Sequence, residues 1–474
     1  MPDNKDDLLL KIRNGQPMTT REQLKLTWWL SLPAILAQLT TTVMQYIDAS
    51  MVGSLGAEAS AAIGLVETTT WMIGSLCSAG SAGFYVQVAH LLGAGRPRDA
   101  RSVLRQAVSS MLLFGLIIGA VALSISPLLP RWLGGGDDIA ATSSAYFAIF
   151  ALCIPFFQFS MLGAGMLRSS GNMVVPSVLS VSMMAMDVVF NFFLIFPTRQ
   201  IDILGTSLTM PGAGLGVKGA AIGTGLAEVI TALLMMYFLC IRSRELGLRA
   251  EKGSFRPTRK CLKEAFRIGM PMGVQQMIMN SAYIVITIII APLGTVALAA
   301  NSLGIVIESL CYMPGYGISD AATTLVGQSM GAGRKNLMRR FAYMAVAMGM
   351  TVMAVMGVVM YVTAPYTMAM LTPVAEVREL GTTVLRIEAF AEPMFAAAIV
   401  CYGAFVGASD TLMPSGMNLL SMWGVRITLA ALLAPRMGLR GVWLAMCIEL
   451  CFRGLIFLAR LKWGKWEKKA YRQT

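Results

Sequence analysis

Apolar residues in this chain run in long blocks separated by short polar connections, and most blocks exceed the length of any strand. A helix crossing the hydrocarbon of a bilayer needs about 20 residues at roughly 1.5 Å each, whereas barrel strands are half as long and alternate. That ruler predicts twelve helical spans: Leu26–Val52, Ala61–Ala89, Val103–Leu128, Thr142–Leu167, Val174–Pro197, Lys218–Ile241, Ile268–Pro292, Leu298–Val326, Phe341–Thr363, Leu380–Phe405, Met413–Leu433 and Gly441–Leu461. The expected fold class is an all-α polytopic membrane protein, with twelve transmembrane helices in two six-helix pseudo-symmetric lobes. Its expected divisions are a polar N-terminal segment (1–25), a first lobe (26–241), a linker (242–267), a second lobe (268–461) and a polar tail (462–474). Residues 1–25 precede a long span that carries an aspartate, with no Ala-x-Ala site nearby, so they are not expected to be a signal peptide.

The two lobes are copies. Shifting the chain by 238 residues sets Pro33 on Pro271, Gln38 on Gln276, Leu55-Gly56 on Leu293-Gly294, Gly93-Ala94-Gly95-Arg96 on Gly331-Ala332-Gly333-Arg334, Pro155 on Pro393 and Pro176 on Pro414. Later the register changes by sixteen: Gly216-Val217-Lys218-Gly219 matches Gly438-Leu439-Arg440-Gly441, so the first copy has a longer loop after its fifth span. Six spans per copy give both copies one orientation, related by an axis along the membrane normal. Transporters commonly have this design, with sites between halves that rock against each other.

Composition agrees: 56% of the residues are hydrophobic, the mean hydropathy is +0.66, and only 13% are charged, about half the soluble norm. The net charge of +13 need not mean nucleic acid, which is not expected as a partner. Sorted by connection, 29 of the 38 basic residues fall on one face, six on the other and three (Arg386, Arg426, Arg453) inside spans. The positive-inside bias then puts both termini and the linker of this multi-pass chain in the cytoplasm. Seven of eight cysteines lie in or beside apolar runs without ligand spacing, and read as small buried hydrophobes. Gly214-Leu-Gly216-Val-Lys-Gly219 matches GxGxxG but follows no strand, and no P-loop, HExxH or GxSxG occurs. The chain is therefore not expected to be an enzyme or to hold a cofactor.

Polar groups inside spans each ask for a reason, because a mid-bilayer charge costs about 2.5 to 3.5 kcal/mol on insertion scales. The first span carries Gln38, Thr41, Thr42, Gln45 and Asp48 at spacings of three or four, a polar stripe. Asp187 and Asn191 are four apart on the fifth span, as are Thr224 and Glu228 on the sixth, so each pair shares a helix face. Asp48, Asp187, Asn191 and Thr224 converge in depth in the outer half of one lobe. Such an oxygen-rich set suits a proton or a hard monovalent cation such as Na+, with no other metal expected. Cleft or substrate candidates are Gln38, Gln45, Gln158, Glu228, Gln276, Asn280 and Glu392, the last placed before Pro393 where a helix would free backbone groups. Glu388 and Glu449 are expected to pair with the span arginines, and His90 to be a hydrogen-bonded helix-end residue. The 36 methionines include flexible thioethers that suit a pocket for varied apolar cations, although most are expected to pack.

Several stretches carry a resemblance: Tyr46-Ile-Asp48-Ala-Ser-Met-Val-Gly53-Ser-Leu-Gly56, Leu92-Gly93-Ala-Gly95-Arg96, Arg168-Ser-Ser-Gly171-Asn172 before Pro176, Asn191-Phe-Phe-Leu-Ile-Phe196, and Gly216-Val-Lys-Gly219-Ala-Ala-Ile-Gly-Thr224. With their second-half counterparts they resemble the multidrug and toxic compound extrusion (MATE) family over nearly the whole chain. The resemblance implies a V-shaped pair of lobes and a secondary antiporter of a bacterial inner membrane that exports small organic cations in exchange for H+ or Na+; a monomer is expected. It also implies that Asp48 binds the coupling ion, with Asp187, Asn191 and Thr224 on the family's polar positions and Gln158 in place of an asparagine. His90 stands where glutamine is usual, and Asn280 where one branch has a sodium-binding glutamate, which favours a first-lobe mechanism. The alternative is a flippase for lipid-linked oligosaccharides or another amphipathic lipid precursor, which would carry more arginines in its spans.

Overall fold

The computed structural model describes residues 5–203, 206–250, 252–464 and 466–467; residues 1–4 of the N-terminal segment and most of the tail lie outside them. The first lobe comprises α2 (Thr20–Gly53), α3 (Ala57–Gly93), α4 (Pro97–Ile125), the short α5 (Leu129–Trp132), α6 (Asp137–Ser169), α7 (Val174–Ile195) and α8 (Val217–Tyr237), preceded by a small helix α1 (Lys5–Arg13). In the second lobe are α9 (Arg259–Ile290), α10 (Thr295–Gly331), α11 (Lys335–Leu371), α12 (Ala375–Glu388), α13 (Glu392–Gly407), α14 (Leu412–Leu419), α15 (Thr428–Met437) and α16 (Leu439–Trp463). A widened π turn, Leu420–Ile427, joins α14 to α15.

Among the described residues nine helical stretches are long and apolar enough to cross a membrane, or ten if the bent pair α12 and α13 is one span. The protein is thus a multi-pass, all-α membrane protein. Apolarity alone does not account for all twelve expected spans. The helices α2 and α3 have the length, at 34 and 37 residues, but the glutamines, threonines and aspartate of α2 and the many Gly, Ser and Thr of α3 dilute their hydropathy.

Three local expectations change. Residues Pro197–Ile203 and Thr206–Ala213 form an antiparallel hairpin, β1 and β2, where only a longer loop was expected. Threonine and isoleucine recur through it, and such β-branched residues suit a pleated ladder. The linker ends sooner than residue 267, because Thr258 caps α9, its hydroxyl accepting from the Cys261 N–H at 3.4 Å. Pro393 is not in mid-helix: the chain breaks between Glu388 and Glu392, bends by 58°, and puts the proline in the first turn of α13, where its missing N–H leaves no bond unmade.

Each lobe's first helix packs on the other lobe's second, α2 on α10 and α9 on α3. Glycine makes the approach possible. A Cβ at Gly317 of α10 would come within 2.6 Å of the Ile35 nitrogen, and one at Gly269 of α9 within 2.5 Å of the Ala79 oxygen. Where α3 crosses α10, near the end that carries the termini, Gly93 abuts the Gln328 carbonyl and Gly331 the His90 carbonyl. His90 Nε2 donates to the Gly407 carbonyl at 2.7 Å, and Gln328 Nε2 donates to the Ser169 carbonyl at 2.7 Å. The 238-residue shift relates Gly93 with Gln328 to Gly331 with His90, and His90 with Gly407 to Gln328 with Ser169, so each of these contacts occurs twice about a pseudo-two-fold axis. The imidazole of His90 does in the first copy what the amide of Gln328 does in the second. Arg168 and Asp320 add an ion pair across the same joint at 3.0 Å.

Gly331→Ala should therefore destabilise the protein by about 1 to 3 kcal/mol, as overpacking does. Gly64→Ala, with nothing within 4 Å of the added methyl, should be neutral or mildly stabilising. Thermal unfolding of the purified variants in detergent checks the pair; equal midpoints would remove the close crossing as a stability determinant.

Candidate ion-binding site

Three helices bring the polar groups of the first lobe together. On α7, Asp187 and Asn191 are one turn apart and face the lobe interior, with relative exposures of 2% and 1%. Asn191 Nδ2 donates to Asp187 Oδ1 at 3.0 Å and to Asp48 Oδ1 of α2 at 3.2 Å. From α8, Thr224 Oγ1 donates to Asp187 Oδ1 at 2.8 Å. Asp48 and Thr224 are half-buried, so the cluster has a wet side and a dry side.

Charge is the notable property of this cluster. Two carboxylates share a single amide donor, and among the described residues no Lys, Arg or His forms an ion pair with either. Asn191 Oδ1 is buried without a hydrogen-bond partner among those residues. Two adjacent carboxylates withdrawn from water cannot both stay charged and uncompensated, because desolvation and mutual repulsion add. A shared proton, or a small cation taking the carboxylate, amide and hydroxyl oxygens, relieves both. Among the described residues no three His, Cys, Asp or Glu are grouped to hold a metal ion.

Sequence reasoning missed Gly223. A Cβ there would overlap the Asn191 carboxamide, so only glycine lets α8 approach α7 closely enough to seat that amide. Its signal in the chain was adjacency to Thr224, in a run of small residues, Gly219-Ala-Ala-Ile-Gly223-Thr-Gly225.

The remaining candidates are not gathered here. Gln158 is fully buried inside the first lobe, donating from Nε2 to the Cys77 carbonyl at 3.2 Å and to Ser81 Oγ at 2.7 Å, so it ties α6 to α3 rather than lining a cleft. Glu228 is buried one turn beyond Thr224, and its Oε1 has no hydrogen-bond partner among the described residues. In the polar stripe of α2, Thr41 and Thr42 satisfy their hydroxyls on the carbonyls of Ala37 and Gln38, while Gln38 is half-buried and Gln45 exposed. On α9, Gln276 is exposed and Asn280 half-buried; the neighbouring Gln275 is the buried amide. Glu392 is wholly buried at the start of α13, and all four oxygens of Glu392 and Glu388 lack partners among the described residues. Of the expected second-lobe ion pairs, Glu449 bonds Arg453 at 2.6 Å and accepts from Ser421, whereas Arg386 turns to the Tyr361 carbonyl and leaves Glu388 aside.

The MatE family model matches residues 33–193 and 271–432, once in each lobe. The chain is similar to a probable multidrug resistance protein NorM of Thermotoga maritima, 24% identical over 443 residues that cover 93% of this chain and 92% of that one. It is similar also to the multidrug resistance protein MdtK of Yersinia enterocolitica, 23% identical over 93% of this chain and 96% of its relative. A crystal structure of MATE in complex with MaL6 superposes with a TM-score of 0.86 at 20% identity, over 98% of this chain and 99% of that one. With the family model matched over most of both lobes, the chain belongs to the MatE family and is a multi-pass membrane transporter.

Proposed function

We propose that this transporter is a secondary antiporter that exports small organic cations, drugs among them, in exchange for H+ or Na+ bound in the first lobe. The observation that carries the reading is the uncompensated pair Asp48 and Asp187 on one amide, because it is built to take up a single positive charge. Asp48 arrives on α2, and α2 packs on α10 of the other lobe, so occupancy of the site acts on the interface between lobes. Pro33 interrupts the hydrogen bonding of α2 some fifteen residues below Asp48 and gives the helix a place to bend or reseat. The multidrug names of the relatives support the substrate class, and the basic face supports a cytoplasmic location for the termini.

One ion exchanged for one monovalent organic cation moves no net charge, so the chemical gradient of the ion drives the cycle, at about 1.4 kcal/mol for each ten-fold of gradient; a second inward charge per cycle would add about 2.3 kcal/mol per 100 mV.

Asp48→Asn and Asp187→Asn should each abolish ion-driven efflux of an ethidium-type cation from proteoliposomes while leaving the protein folded. Imposing a pH gradient and a sodium gradient separately identifies the ion, and undiminished ion-driven efflux by Asp48→Asn sinks the site. Flipping of a lipid-linked sugar without efflux of any cation would transfer the assignment to a lipid flippase. Gly223→Ala supplies no ligand and removes none, yet it displaces the Asn191 amide. Its half-saturating ion concentration should rise about ten-fold, equivalent to roughly 1.4 kcal/mol; an unchanged value would mean that the Asn191 position is irrelevant to ion binding.

A further inference from the structure

The helix α1 takes no part in the ion cluster, yet it lies across the joint between the lobes. Its apolar face, Leu8, Leu9 and Ile12, is buried with Met173 of the first lobe and Leu325, Leu337 and Phe341 of the second. Leu9 fills the space that a side chain on Gly171 would occupy. The polar contacts divide in the same way. Arg13 donates from Nη2 to the Ser170 carbonyl of the first lobe at 3.3 Å and from Nε to Gln328 Oε1 of the second at 3.3 Å, and its Nη1 pairs with Glu245 of the linker. Arg334 of the second lobe donates to the Lys11 carbonyl at 3.0 Å, while Lys11 Nζ reaches Glu22 of α2 at 2.5 Å.

Gln328 is the residue that already joins the lobes, its Nε2 on the Ser169 carbonyl. Arg13 holds the other end of the same amide. One guanidinium thus grips both sides of the joint at adjacent points, Ser170 and Gln328, and its fixed fork cannot follow both if they separate. The apolar face of α1 is under the same constraint, since Met173 and Leu337 belong to different lobes.

We propose that α1 is a latch, with Arg13 as its catch, that holds the cleft shut at the end carrying the termini and must release one lobe in every transport cycle. The proposal rests on the antiport proposed above, carried out by two lobes that rock against each other, but not on the identity of ion or substrate. Arg13 acts by positioning Gln328 and touches no transported species.

Hydrogen–deuterium exchange on the full chain in lipid nanodiscs reads the latch directly. In Arg13→Gln and in Arg334→Gln, exchange around residues 90–94 and 328–333 should rise about five-fold or more. Segments of α7 and α8 around Asp187 and Thr224 should keep their wild-type exchange, which a general loss of stability would not allow. Arg13→Glu should open the joint further, and Glu245→Arg in the same chain, which restores the ion pair but not the donors to Ser170 and Gln328, should leave it open; recovery of wild-type protection in that double variant would mean that the linker pair, and not the grip on both lobes, closes the joint. Unchanged exchange at the joint in all these variants, or a rise shared equally by α7 and α8, overturns the latch. Because exchange needs no substrate, the two readings fail separately: a wild-type chain that moves no cation defeats the antiport, whereas one that exports cations with a joint indifferent to Arg13 defeats the latch.

Discussion

Two carboxylates drawn onto one amide, with no basic side chain paired to them among the described residues, set the terms for the rest of the molecule. Their repulsion in a poorly solvated interior is relieved by a proton or a cation, so the proposed ion site would have two states of different charge. Asp187, Asn191 and Thr224 sit on helices that pack within the first lobe, whereas α2, which carries Asp48, also meets the second lobe. A change of charge at the site would therefore bear on the one of its three helices that also packs on the other half. An ion site made only from α7 and α8 would have no such reach.

The second lobe lacks this arrangement although it is a copy. Applying the 238-residue shift, Asp48 corresponds to Ile286, Asp187 to Val425 and Asn191 to Leu429; after the register change Thr224 corresponds to Met446. Every ligand position is apolar. The second lobe's acidic groups lie elsewhere: Glu449 is neutralised by Arg453 on its own helix, and Glu388 and Glu392 flank the bend between α12 and α13 without partners among the described residues. Duplication has kept the packing, down to paired glycines and paired carbonyl contacts, and let the chemistry diverge. On the proposed antiport, symmetry at the joint with asymmetry in the interiors would let one lobe respond to the ion while the other serves as its counterweight.

How much of this could be read from the chain follows from what periodicity encodes. Hydrophobic length located the helices, and i,i+4 spacing put Asp187 and Asn191 on one face, because both depend on a single helix. Which faces meet is a property of two helices, and there the reading failed for Gln158 and Glu228, polar residues in mid-span that turn into the first lobe. Glu392 was misjudged for a related reason: a proline in an apolar run marks a discontinuity but not which side of the break it occupies. Gly223 was invisible because a glycine's contribution is the atom it lacks, which only the neighbouring Asn191 reveals. His90 was readable as a helix-end hydrogen-bonding residue, but not as the counterpart of Gln328, whose amide makes the equivalent bond.

Where α3 crosses α10 the joint is close and polar. Glycine lets the two helices touch backbone to backbone there, and what registers them is a pair of side-chain to carbonyl bonds and one ion pair. Hydrogen bonds of this kind contribute about 1 kcal/mol each, and water replaces them when the groups are exposed. An interface of interdigitated leucines would instead resist opening in proportion to its area, at about 25 cal/mol per Å². Elsewhere the lobes share apolar clusters, Val86 with Ile268 and Val406 and Ile35 with Ile318, so the hydrogen-bonded crossing of α3 and α10 is the part of the interface that water most readily replaces, which favours rocking of one lobe against the other over internal deformation.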